Sequence, residues 1–253
     1  MSASEAPSSI SRALRHIGVV LLAAVASATV FANWTPSSLL PSGVSRAISI
    51  ANATRIASDS TPVPPTATPA PLPLIGLVAG HSGPQNDPGA VCPDGLTEAS
   101  INLDVANRAK AILEQAGFRV DLLTEFDDRL VGYRSAAMVS IHSDSCAFVN
   151  EQATGFKVAR ALYDKSPEQS DRLVACLTDR YQKRTEMNFH SGSITVDMTS
   201  YHGFDELAVE TPAAIIEVGF LNLDRDMLTN HPDLVAQGVA EGILCFARSE
   251  PVP

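Results

Sequence analysis

Three short apolar runs constrain this chain more than any other feature: Leu74–Ala79 (LIGLVA), Ala136–Ile141 (AAMVSI) and Ala213–Val218 (AAIIEV). Runs of this length without polar alternation suit strands buried on both faces, as in parallel sheets covered by helices. The sequence between them reads as further strands and amphipathic helices. Thr97 caps a helix from Glu98 to Ala116, with Leu103, Ala106, Ala109, Leu113 and Ala116 on one face and Gly117 closing it. Phe118–Leu123 alternates into a strand, and Thr154–Leu162 reads as another. Ser170–Arg184 is helical, with Leu173, Leu177 and Tyr181 aligned, and Pro232 opens a last helix carrying Leu234, Val235, Val239 and Ile243. The alternation predicts an α/β domain: three layers, with a mostly parallel twisted sheet and helices on both faces.

That domain does not fill the chain. Arg12, Arg15 and His16 precede an uncharged run over 17–32, bounded by Asn33. Basic residues ahead of a short apolar stretch read as a secretory signal over 1–33. A retained signal-anchor, tethering the chain to a membrane through 17–32, is the close alternative, although a span usually needs roughly 17–25 residues. Residues 34–73 are rich in Pro, Ser and Thr and end in STPVPPTATPAPLP, which favours extended polyproline backbone and therefore a spacer. The domain is expected over 74–253. The first 73 residues hold four Arg against Glu5 and Asp59, so the chain's net −10 resolves into +2 followed by −12. So acidic a domain argues against nucleic acid as a partner.

Polar residues of metal-binding or acid–base type fall where the apolar strands end. The first strand runs into His81, the third into His142, and Ala213–Ile216 into Glu217, while Glu98 opens the first helix. In open α/β sheets, ligands bind outside the carboxyl ends of the strands. Two His and a carboxylate give zinc three protein ligands and leave a position for water, and a second carboxylate nearby can act as base. The residues thus suggest a zinc hydrolase, with His81, Glu98 and His142 on the metal and Glu217 as base. Plainer readings exist: a strand-end His as a surface group, or Glu98 as a favourable charge at a helix N-terminus. Separations of 17 and 44 residues are no local ligand motif. Glu217 among apolar neighbours is harder to explain as structure, because an unpaired buried carboxylate is costly.

The segments GHSGPQNDPGA and GLTE, then SIH, then TPAAIIEVGFLNLDRDMLT resemble the zinc-dependent N-acetylmuramoyl-L-alanine amidases of bacterial cell walls. The resemblance runs over most of 74–247. It implies one Zn²⁺ on His81, Glu98 and His142, a catalytic Glu217, and peptidoglycan or muropeptides as substrate. Val78-Ala79 stand where that family has Asp-Pro, and Ser143-Asp144 replace its Asn-containing stretch. A zinc peptidase or other amidohydrolase on the same scaffold, or an inactive wall-binding module, are the competing functions.

Asp144 and His202 are further candidates for binding substrate, while His190 and His231 read as structural residues. The four Cys allow two disulfides in an exported chain. Cys92 and Cys146 each follow a ligand-bearing segment, and Cys176 and Cys245 lie on helices that can be neighbours, so the expected pairs are Cys92–Cys146 and Cys176–Cys245. No insertion between His142 and Ser170 is long enough for an inhibitory helix, which predicts an open site.

Overall fold

The computed structural model describes residues 72–85 and 87–253, together with Val20, Ala23 and Ala24. The expected export segment over 1–33 and spacer over 34–73 lie outside the described residues, apart from those three and Leu72-Pro73. In chain order the elements are β1 (Leu74–Ala79), α1 (Glu98–Gln115), β2 (Arg119–Thr124), β3 (Ala137–Asp144), β4 (Lys157–Ala159) and α2 (Pro167–Thr185). They continue with α3 (Val196–Thr199), α4 (His202–Glu206), β5 (Ala213–Phe220), α5 (Arg225–Asn230) and α6 (Pro232–Ala247). The sheet order is β2-β1-β3-β5-β4; only the edge strand β4 runs antiparallel to its neighbour. This is the expected α/β architecture.

Strand alternation divides the core between the two faces. Ile75, Leu77, Val139, Ile141, Ala214 and Ile216 form one cluster with Val105 and Leu113 of α1, Leu173 and Leu177 of α2, and Val239 and Ile243 of α6. The opposite face is covered by shorter pieces. Val78 and Met138 pack with Leu130, Tyr133 and Leu207, while Ile215 packs with Met198 and Tyr201 around α3 and α4. Among the described residues, helices therefore lie on both faces, but the three long ones, α1, α2 and α6, lie on one. The other face, with its short helices and turns, is where a cleft can open.

Two disulfides, Cys92–Cys146 and Cys176–Cys245, join the expected pairs. The first ties the segment after β1 to the segment after β3. The second ties α2 to α6, which approach so closely that a Cβ on Gly242 would lie 2.7 Å from Leu177 Cα.

Two local expectations need correction. The buried stripe of α1 is Ile101, Asn102, Val105, Ala106, Ala109 and Leu113. Leu103, read as inward, is 40% exposed, because one helical step of about 100° carries it off that stripe. The strand expected over Thr154–Leu162 shrinks to Lys157–Ala159. Gly155, at φ 102°, turns the chain just before it. Beyond Ala159 the chain leaves the sheet, so that the Leu162 N–H donates to the Thr199 carbonyl at 2.8 Å and its side chain is solvent-exposed.

Candidate active site

His81, Glu98 and His142 come together from three elements. His81 follows the end of β1, Glu98 is the first residue of α1, and His142 lies near the end of β3. Their ligand-type atoms all lie within 4.8 Å of one another, in a geometry that could hold a metal ion. Glu98 Oε1 stands 3.4 Å from His81 Nε2 and 3.2 Å from His142 Nδ1. Two glycines leave room for this meeting. A Cβ on Gly80 would lie 2.4 Å from the His142 ring, and one on Gly89 would lie 2.6 Å from Glu98 Oε2 and 2.8 Å from the His81 ring.

The carboxylate of Glu98 is buried but well supported. Its Oε2 accepts the Ala90 N–H at 3.1 Å, and its Oε1 accepts from Ser143 N–H at 3.2 Å and Asn102 Nδ2 at 3.3 Å. Burial works against its charge, yet His142, His81 and the Ala90 N–H outweigh that and hold its pKa below the ordinary value. His142 shows the converse: burial opposes its charge, but Glu98, Glu217 and Glu125 together raise its pKa. His81 Nδ1 pairs with Asp87 Oδ2 at 2.9 Å, leaving Nε2 turned toward Glu98. Were His81 to hold a metal, Asp87 would be the kind of carboxylate that commonly orients a ligating imidazole.

Glu217 enters through strand register. On β5 it is paired with His142 of β3 on one side and Lys157 of β4 on the other. Its Oε2 is buried without a hydrogen-bond partner. Burial pushes its pKa up to about 7, with Glu98 adding to the rise and His142 and Lys157 opposing it. A carboxyl group with that pKa, beside a candidate metal site, is suited to accept and return a proton near neutrality.

The cleft over these groups measures about 450 Å³. Five carboxylates (Glu98, Glu125, Asp144, Asp197 and Glu217) line it against one ammonium, that of Lys157. Such a wall favours a bound cation, and the two-imidazole, one-carboxylate set suits a divalent metal. Asp144 lines the cleft, but its carboxylate is ion-paired with the buried Lys157 Nζ. His202 is held at both ring nitrogens, with Nε2 2.9 Å from Glu125 Oε1 and Nδ1 3.2 Å from Glu206 Oε1. His190 serves a turn, its Nδ1 bonded to Ser193 Oγ, and His231 is the N-cap residue of α6.

Three buried polar residues of the site are absent from the sequence reading: Asn102, Glu125 and Lys157. Asn102 bridges the Gly80 carbonyl, Glu98 and the Ser143 hydroxyl, at 3.1, 3.3 and 2.8 Å respectively. Its signal was a polar residue on the apolar stripe of α1. Glu125 follows β2, and the parallel register Ala79↔Thr124 carries it beside Gly80-His81. Lys157 sits within a strand otherwise made of apolar residues.

The fold is shared with solved amidases. The CwlD amidase from Clostridioides difficile, solved in complex with the GerS lipoprotein, is 20% identical with a TM-score of 0.55, over 70% of this chain and 99% of that one. The N-acetylmuramyl-L-alanine amidase Ami1 from Mycobacterium smegmatis is 16% identical with a TM-score of 0.57, over 71% of this chain and 100% of that one. In sequence, the N-acetylmuramoyl-L-alanine amidase AmiC of Neisseria meningitidis serogroup B is 32% identical over 110 residues, which are 40% of this chain and 26% of that protein. The chain thus covers about a quarter of the length of that relative. Residues 75–245, nearly the whole of the described domain, match the sequence family described as N-acetylmuramoyl-L-alanine amidase. On that match, the chain belongs to the N-acetylmuramoyl-L-alanine amidase family.

Proposed function

We propose that the chain is a zinc-dependent N-acetylmuramoyl-L-alanine amidase, hydrolysing the amide between the lactyl group of N-acetylmuramic acid and L-alanine of the peptidoglycan stem. The observation that carries the chemistry is the convergence of His81, Glu98 and His142 beside Glu217, whose Oε2 is buried without a hydrogen-bond partner. Their two nitrogens and one oxygen match the donor set of open, catalytic zinc sites. Zinc bound there would supply Lewis-acid polarisation of the scissile carbonyl and ease deprotonation of water.

The remaining work belongs to the chain's own residues. Glu217 Oε2 takes a proton from the attacking water and delivers it to the departing amine of L-alanine, so the carboxylate is restored at the end of the cycle. Its raised pKa serves both halves, since the group neither holds nor releases the proton too strongly near neutral pH. Asp144, which lines the cleft, and His202, which meets the cleft-lining Glu125, are the candidate contacts for substrate. On the same reading 17–32 is an export segment or membrane tether followed by a Pro-rich linker over 34–73, and the two disulfides fit an oxidising, extracytoplasmic setting.

The test is release of stem peptides from purified peptidoglycan by the full chain, with and without chelator, beside Glu217→Ala. Wild type should release peptides bearing a free L-alanine amine, and both chelator and the substitution should abolish release. Equal release by wild type and Glu217→Ala overturns the role of Glu217. Cleavage within the stem peptide replaces the amidase reading with a peptidase.

A further inference from the structure

We infer that Glu125 is a positioning residue for both histidine ligands, anchored by His202, so that the metal site depends on a carboxylate outside its ligand set. The inference rests on the metal-site reading above and concerns the chain's own groups around that site.

Glu125 brackets His81 from two sides. Its Oε2 accepts the His81 backbone N–H at 2.7 Å, while its own backbone N–H donates to the Ser82 carbonyl at 3.0 Å. His81 needs such a bracket, because it adopts φ 58°, in the left-handed region that non-glycine residues seldom occupy. A conformation of that kind persists only where its surroundings over-determine it. The same Oε2 lies 3.6 Å from His142 Nε2, the ring nitrogen that faces away from Glu98. That nitrogen's hydrogen-bond partner is Ser140 Oγ at 3.1 Å, so the nearby carboxylate acts on the ring through its charge. One carboxylate thus fixes the backbone of one ligand and faces the outward nitrogen of the other.

His202 completes the arrangement from the loop side. It stands 2.9 Å from Glu125 Oε1, its other nitrogen meets Glu206, and Phe126 stacks on its ring at 4.5 Å between centroids. Glu125 is 5% exposed, so both of its oxygens are committed to these partners. The role of His202 is then to hold Glu125, in addition to any contact it makes with substrate.

The experiment measures Zn²⁺ affinity of the full chain by competition with a chromophoric chelator, without substrate, for wild type, Glu125→Gln and His202→Ala. Thermal melting of the metal-free proteins and visible spectra of their Co²⁺ forms are recorded alongside. Glu125→Gln should bind Zn²⁺ ~10–100-fold more weakly, with His202→Ala shifted in the same direction by less. The metal-free melting and the shape of the Co²⁺ spectrum should stay near wild type. Affinities within twofold of wild type for both variants overturn the inference. A changed Co²⁺ coordination spectrum in Glu125→Gln also overturns it, because it makes Glu125 a ligand. Should Glu125→Gln fail to fold, unchanged affinity in a folded His202→Ala refutes the anchoring. A wild type that binds no metal removes both this inference and the metal reading. A wild type that binds metal but cleaves no peptidoglycan overturns only the proposed activity.

Discussion

Replacing Glu217 with Gln tests the cost of placing a carboxylate where no hydrogen-bond donor reaches its buried Oε2. Burial raises the folded-state pKa from the ordinary 4.5 to about 7. At about 1.36 kcal/mol per pKa unit, that is a difference of about 3 kcal/mol between the two protonation states. The folded pKa is raised, so the folded state holds the proton more tightly. Below pH 4.5 both folded and unfolded chains are protonated, and the group is neutral in stability. Between 4.5 and 7 the unfolded chain releases its proton first, and stability falls as pH rises; above 7 the full cost is present. Glu217→Gln keeps the shape and cannot ionise. Urea unfolding of the metal-free protein should therefore find the variant close to wild type near about pH 4 and about 3 kcal/mol more stable near about pH 8.5. Any fixed packing difference appears at both pH values and cancels in the comparison. A variant offset by the same amount at both would refute the argument that burial of an unpartnered charge sets this site.

The other expectations are more local. Gly89→Ala places a Cβ against Glu98 and the His81 ring at a φ of 63°, so it should lose metal binding, read by metal content after dialysis, with the helical circular-dichroism signal retained. Removing the Cys176–Cys245 bridge by a double Ala substitution should cost about 4 kcal/mol in urea unfolding, as expected for a closed loop of 69 residues. Gly242→Ala should destabilise by about 1–3 kcal/mol, since its Cβ meets the Leu177 backbone and a flexible side chain cannot relieve the clash; a thermal melt shows it. Between β3 and α2 the described chain forms only β4, so on the proposed function purified protein should show basal release of stem peptides from peptidoglycan.

What could be read from the sequence follows from where the information lies. His81, His142 and Glu217 were visible because an unbroken apolar strand makes its first polar residue conspicuous, and parallel strands bring their carboxyl ends to one edge. Glu98 was visible because Thr97 marks the start of its helix. Glu125 was hidden in the acidic stretch EFDD, where nothing local separates a buried carboxylate from solvated ones; only the β1–β2 register does that. Lys157 was hidden because its burial depends on an ion pair with Asp144, 13 residues away, made only once β4 docks on β5. Apolar periodicity places Leu103 inward because the buried stripe of α1 includes a polar member, Asn102, which such periodicity cannot supply.

The unequal covering of the sheet has a consequence for motion. On the helical side, α2 and α6 are cross-linked and long, and their amides should exchange with solvent only on global unfolding. On the site side, the segment from Glu186 to Pro212 lines the cleft with Thr195, Asp197, Met198 and Tyr201, from pieces of at most five helical residues. That wall can open sub-globally at a fraction of the cost while the strands beneath it stay protected. His142 and Glu217 would then keep their spacing through many openings of the cleft above them. Substrate entry would be timed by the loosest part of the molecule, and the chemistry carried out by one of the stiffest.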